Sequence, residues 1–365
     1  MTVGTRPSSL PQRPSKALLI CLVISSALAV IVLVGMLLDG GPIGFGLSML
    51  LALAPLPLLL AAVLSLDRLE PEPGLHLGFA FAWGAGVAIV LGIVLTLAGQ
   101  AMFARAGYGE QTVDVLGTVY LAPVIEEALK GSALLLLLVR RREIDGLTDG
   151  IVYGSMAGLG FATVENVGYY VGAFSEDGVG GAVQLFVIRG LIDPLGHPVY
   201  TAMTGLGVAY ALTRRGPARF AAIPLGYLGA VLLHGLWNGT ATLQSLGWLG
   251  AAYLVIMGAL IGLVLVTVRE RRQLVAKIGT YLPAYQPTGL FTPPDIKMLS
   301  TLSARRSARK WAKGAGLGQA MGDYQQVATE LTMLHLRAER EGVDPAGFAA
   351  ERDVLLDALS RARRW

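Results

Sequence analysis

Eight apolar stretches govern what this chain can fold into, near residues 17–38, 42–66, 75–104, 112–139, 150–174, 182–211, 218–240 and 246–268. A helix needs about 20 residues to cross about 30 Å of hydrocarbon, and in lipid a helix satisfies its own backbone. The pattern predicts an all-α fold, a polytopic membrane helical bundle of about eight spans. A chain that is 54% hydrophobic and 15% charged, with mean hydropathy +0.60, excludes an ordinary soluble domain. The first stretch, Ala17–Leu38, is too long for a signal-peptide core and reads as a retained span. The single cysteine, Cys21, excludes an internal disulfide and a multi-cysteine metal site. Gly150, Gly154 and Gly158 recur every four residues and predict a close helix–helix contact face.

Lysines and arginines fall on alternate loops. One side receives Arg6, Arg13, Lys16, Arg68, Arg140–Arg142, Arg214, Arg215, Arg219, Arg269, Arg271, Arg272 and Lys277, and the other only Arg105, fourteen against one. The positive-inside rule then puts both termini in the cytoplasm of a multi-pass cell-membrane protein. The net charge of +4 belongs to this face, whose expected partner is anionic lipid, with no nucleic acid implied. Residues 1–16 form a cytoplasmic tail and 17–268 the membrane domain. Pro283, Pro287, Pro293 and Pro294 mark 269–300 as a linker. Residues 301–365 read as a small cytoplasmic helical tail: a basic run, Arg305-Arg306-Ser-Ala-Arg309-Lys310-Trp311-Ala-Lys313, against the inner leaflet, then a helical hairpin. Its second helix starts at Asp344-Pro345. His335 is expected on the tail surface and His76 at the membrane interface.

Polar groups inside the spans carry the chemistry. A charge at the centre of a bilayer helix costs about 2.5–3.5 kcal/mol, so Glu126, Glu127 and Lys130 must face an interior that pairs or hydrates them. Glu126 and Lys130 share a helix face. Later spans add Glu165-Asn166, the sequence Arg189-Gly-Leu-Ile-Asp193-Pro194-Leu-Gly196-His197-Pro198, and His234 with Asn238. Arg189, Asp193 and His197 form an i, i+4, i+8 ladder in which Asp193 would pair with Arg189 and orient His197. Pro194, Gly196 and Pro198 would break or bend that helix. Glutamates and histidines on neighbouring helices suit two routes to amide hydrolysis. A carboxylate can act as general base on water, or Glu and His can hold a divalent metal that lowers the pKa of its bound water to about 7. A proton- or cation-coupled transporter or channel is the competing reading, because proton carriers also bury carboxylates and histidines. For each group there is also a structural role as a buried ion pair or helix-bridging donor.

Glu126-Glu127-x-x-Lys130, then Phe161-x-x-x-Glu165-Asn166, then single histidines in two later spans, resemble the PrsW family of bacterial intramembrane proteases. That family is related to the CAAX-processing and bacteriocin-immunity membrane proteases. The acidic-proline turn Asp67-Arg-Leu-Glu70-Pro-Glu72-Pro73 is similar to the family too, and the likeness covers about residues 45–270. The resemblance implies cleavage of a membrane-tethered protein, such as an anti-sigma factor. It implies an active-site set of Glu126, Glu127, Glu165, His197 and His234, with Lys130, Asn166, Arg189, Asp193 and Asn238 in support. Family members are labelled metalloproteases, which would make Glu127, Glu165, His197 and His234 ligands to zinc or another divalent metal. Related enzymes use glutamate without a metal, and the sequence leaves the two mechanisms open.

Overall fold

The computed structural model describes residues 15–69, 71–137, 144–243, 245–342 and 344–363. The N-terminal tail up to residue 14, Glu70 and Arg140–Arg142 therefore lie outside the described residues. Fourteen α-helices occur among the described residues: α1 Lys16–Leu53, α2 Leu56–Leu66, α3 Gly74–Trp83, α4 Ile89–Arg105, α5 Glu110–Val115, α6 Ala122–Leu137, α7 Leu147–Phe186, α8 Gly196–Thr213, α9 Ala218–Thr242, α10 Leu246–Tyr281, α11 Pro293–Leu299, α12 Leu302–Gly314, α13 Gly318–Glu341 and α14 Pro345–Ala362. Strands are absent among the described residues. The chain divides into two compact units. One holds Ser15–Asp67 and Glu72–Val266, the other Arg68–Pro71 and the chain from Thr267 onward.

The first unit is a helical membrane bundle. Among the described residues, five helical runs are long and apolar enough to cross a membrane: Lys16–Leu66, Gly74–Arg105, Leu147–Thr213, Ala218–Thr242 and Leu246–Thr288. Two of these each hold two of the eight expected stretches. Gly41 (φ 63°), followed by Pro42, interrupts α1, and Gly178 (φ 63°) interrupts α7. Both glycines adopt the left-handed backbone that side chains disfavour. At Gly178 the chain folds back so tightly that a Cβ on Gly181 would meet the carbonyl of Ala173. The stretch expected at 112–139 is helical through its described part but too charged to count among the five runs. The outer surface of the bundle is apolar while charges lie buried within an otherwise apolar interior: Leu38 is 81% exposed and Leu58 74%, whereas Glu127 and Lys130 are 0% exposed. Such a surface fits hydrocarbon and not water.

Local breaks shape the interior. π-helical turns precede two of the prolines, at Leu116–Leu121 before Pro123 and at Val187–Ile192 before Pro194. A proline has no N–H to give the preceding turn, and a widened turn absorbs the mismatch. The expected sixth span is broken at Asp193–Leu195, and α8 restarts at Gly196, which places His197 in its first turn. The glycine face forms as its spacing predicts. A side chain at Gly150, Gly154 or Gly158 would strike the backbone carbonyls of Gly205, Thr201 and His197 respectively. The antiparallel pair α7 and α8 therefore meets backbone to backbone, and His197 is pinned opposite Gly158.

In the second unit, residues 279–300 are more than the expected linker. They carry a 3-10 helix, Leu282–Thr288, and α11, and they bury Leu282, Tyr285, Phe291, Ile296 and Leu299 in one core with Val327, Leu331 and Leu334 of α13 and Leu355 and Leu359 of α14. The prolines of this segment suggest a linker, but the apolar residues between them are spaced to fill a core. Asp344 caps α14 by accepting from the Gly347 N–H at 3.2 Å, with Pro345 at the first helical position. His335 is half-buried rather than on the surface. Its ring stacks on Tyr281 with centroids 5.0 Å apart, and Nε2 lies 2.7 Å from the Tyr285 hydroxyl. Burial pushes its pKa down. His76 is buried as well, at 8% exposure.

Candidate active site

The polar side chains of α6, α7, α8 and α9 converge inside the bundle. Helix α6 presents Glu126, Glu127 and Lys130, α7 presents Glu165, α8 presents His197, and α9 presents His234. Lys130 Nζ donates to Glu127 Oε1 at 2.8 Å and to His197 Nδ1 at 3.0 Å. It also lies 3.5 Å from Glu126 Oε2 and 3.8 Å from the centroid of the Phe161 ring. Because Nδ1 accepts from an ammonium, the His197 proton sits on Nε2 and is donated to Glu165 Oε2 at 2.9 Å. His234 donates from Nδ1 to Glu127 Oε1 at 3.1 Å, which leaves its Nε2 lone pair 3.8 Å from Glu126 Oε2. The two imidazoles meet edge to face with centroids 4.8 Å apart.

The two adjacent glutamates are in different situations. Every oxygen of Glu127 has a donor, since Oε2 accepts from the Thr201 hydroxyl at 2.9 Å. Glu126 keeps a buried Oε2 with no hydrogen-bond partner. Glu165 faces a cation of its own, as Arg189 Nη2 donates to its Oε2. Arg189 Nε donates to Asn166 Oδ1 at 2.7 Å, and its guanidinium lies 4.0 Å from the Tyr169 ring centroid. Removing either partner of such a partly buried pair leaves a poorly compensated charge, so each pair helps hold the geometry of the rest.

The ladder expected along the sixth span does not form. The break at Asp193–Leu195 takes Arg189 off the helix that carries His197, and Arg189 turns to α7. Asp193 instead accepts from Tyr200 at 3.3 Å, and the Tyr200 ring stacks on His234 at 5.2 Å. His197 is oriented by Lys130 and Glu165. Asn238 stands apart and donates to the Thr118 carbonyl at 2.9 Å, on the π-helical turn before α6. Thr201 and Tyr200 escaped the sequence reading, though Thr201 lies four residues after His197 on the same face of α8.

A metal would find ligands here. Glu126, His197 and His234 each offer one donor atom, and the three atoms lie within 4.8 Å of one another. The orphaned Glu126 oxygen and the free Nε2 of His234 suit a divalent cation. His234 is braced through Nδ1 by a carboxylate, an arrangement common behind metal-ligating histidines. His197 joins only by releasing Lys130 or Glu165 from one nitrogen. Glu127 and Glu165, expected from the resemblance as ligands, are already engaged by Lys130 and Arg189. A small pocket of ≈ 20 Å³ borders His197, with Asn166, Arg189, Asp193, Tyr200 and Trp237 in its wall. It has room for about one water.

A helical membrane bundle whose interior gathers carboxylates, imidazoles and cations defines a protein with a polar intramembrane site. Residues 72–274 match the family described as PrsW family intramembrane metalloprotease. That span is more than half of the chain and contains every residue of the cluster, and the chain belongs to this family. The protein named Protease PrsW from Bacillus subtilis (strain 168) is 29% identical over 141 residues, 39% of this chain and 59% of the relative. The Protease PrsW of Clostridioides difficile (strain 630) is 29% identical over 118 residues, 32% of this chain and 48% of the relative. That of Oceanobacillus iheyensis is 26% identical over 115 residues, 32% and 49% of the two chains. The chain thus spans about half the length of the curated relatives it matches. No solved structure matches it.

Proposed function

We propose that this protein is an intramembrane endopeptidase of the cell membrane. It cleaves a membrane-tethered protein of the anti-sigma-factor kind, and both of its termini are cytoplasmic. The observation that carries the reading is the buried Oε2 of Glu126, which has no hydrogen-bond partner and lies 3.5 Å from Lys130 Nζ and 3.8 Å from His234 Nε2. A carboxylate with a free oxygen is available to take a proton. Glu126 accepts the proton of the water that attacks the scissile carbonyl, the tetrahedral species collapses with rupture of the C–N bond, and Glu126 returns the proton to the departing amine. Glu127 holds Lys130, His234 and Thr201 in place. Arg189 holds the Glu165 carboxylate aimed at His197. In the alternative, metal-dependent route Glu126, His197 and His234 would instead hold a divalent metal, with Glu126 a ligand rather than the base, and the metal when bound supplies Lewis-acid polarisation and a more acidic water.

Two measurements test this. Membrane-protein ectodomains released by cells expressing the protein are compared by mass spectrometry with those released by a Glu126→Gln strain. Loss of a general base costs about 10²–10⁴-fold in rate, so release of the substrate should disappear while the variant still inserts. Unchanged release would overturn the assignment, and abolished ion flux in proteoliposomes with unchanged release would favour transport. Elemental analysis of the purified protein should find a divalent metal that His234→Ala loses.

A further inference from the structure

The outward face of α12 is a cationic strip without counter-charges. The helix, Leu302-Ser-Ala-Arg305-Arg306-Ser-Ala-Arg309-Lys310-Trp311-Ala-Lys313-Gly314, contains five basic residues and no carboxylate. Its inward side is fixed by packing. Ala312 is in the core of the second unit, with Leu302 and Ala308 against it. Arg305, 3% exposed, donates to the Gln325 carbonyl at 2.9 Å and to Thr329 Oγ1 at 3.0 Å. These contacts set the rotation of the helix. Arg306, Lys310 and Lys313 then stand exposed at i, i+4 and i+7, flanked on one side by the small exposed residues Ser303 and Ser307. None of the three has a carboxylate partner among the described residues. Beside Lys310, Trp311 is 61% exposed.

Exposing an indole within a row of unpaired cations gains nothing in water. At the headgroup level of a bilayer it does, since the ring is amphipathic and the cations meet lipid phosphates. We propose that the Arg306–Lys310–Lys313 face of α12, with Trp311, docks on an anionic phospholipid surface. Charge complementarity carries the choice of partner. Chain connectivity adds to it, because α10 runs without interruption from the bundle into this unit and tethers the strip to a membrane-embedded helix. The inference is independent of the peptidase reading.

The test uses the full chain with Cys21→Ser and Ser307→Cys, spin-labelled at position 307. It is reconstituted in nanodiscs of phosphatidylcholine alone or of phosphatidylcholine mixed with phosphatidylglycerol. In the anionic discs, collisions with an aqueous nickel chelate should fall several-fold and collisions with oxygen should rise. High salt should reverse both. Arg306→Gln, Lys310→Gln, Lys313→Gln should abolish the response. Equal accessibility in the two lipids, whether aqueous or immersed, overturns the proposal, as does a response that survives the triple variant. The lipid comparison needs no charge variant, so a misfolded triple variant would not rescue or sink it.

Discussion

Glu126 and Glu127 are neighbours in sequence, yet about 100° separates them around the helix, and that angle gives them different surroundings. Glu127 turns to Lys130, His234 and Thr201, while Glu126 keeps a buried free oxygen. In the proposed peptidase Thr201 is a positioning residue that acts through Glu127. Thr201→Val keeps the shape and removes one charge-assisted hydrogen bond, worth about 1.5–3 kcal/mol. The expected result is a kcat about tenfold lower with KM unchanged, and recovery in Thr201→Ser. A variant that changed only KM would show that Thr201 touches substrate instead. Much of this site was legible in the sequence, because a charge in a lipid-facing stretch announces itself. Glu126, Glu127, Lys130, Glu165, His197 and His234 stood out for that reason. Thr201 and Tyr200 did not, since both are ordinary in membrane helices and gain meaning only from what they face. The pairing of Arg189 with Glu165 was hidden because spacing reports neighbours on one helix and says nothing of neighbours across two.

At the scale of helices, the site depends on how closely α7 and α8 approach. The glycine stripe lets backbone meet backbone and fixes His197 against Gly158. Gly158→Ala would put a methyl group on the carbonyl of His197, so the helices must separate or the break before Gly196 must shift. A misplacement of about 1 Å can cost about 10²-fold in rate, and a loss of that order is the expected outcome. Gly172→Ala, on the same helix with open space around it, serves as control and should leave cleavage intact. A Gly158→Ala protein with full activity would mean that the position of His197 is set elsewhere. The contact face was readable from a four-residue glycine repeat, and the helix break from Pro194. The folded state of residues 279–300 was not. Prolines there suggested a linker, whereas Leu282, Tyr285, Phe291, Ile296 and Leu299 fill a core whose other half lies more than 20 residues further along the chain.

For the molecule as a whole, the number of crossings decides which side of the membrane each loop faces. Length and apolarity pick out five helical runs, while the sequence divides into eight stretches. The two counts differ because tight turns at Gly41 and Gly178 join stretches that a hydropathy profile separates, and because the charged fourth stretch is not apolar. In the proposed topology an even number of crossings returns the C-terminus to the side of the N-terminus, and the fourteen-to-one loop charge ratio is the reason for proposing that this side is the cytoplasm. Reporter fusions after Gly180 and Gly247 should therefore read as external, and fusions after Arg142, Arg215 and Trp365 as cytoplasmic. The fusion at Trp365 decides most. If it reads as external, the number of crossings is odd, and α12 with its unpaired cations would face the outer leaflet. The fusion at Gly180 tests the tight turn itself. A cytoplasmic signal there would mean that α7 does not cross as a complete span before Gly178, and Glu165 would then approach the site from the opposite side.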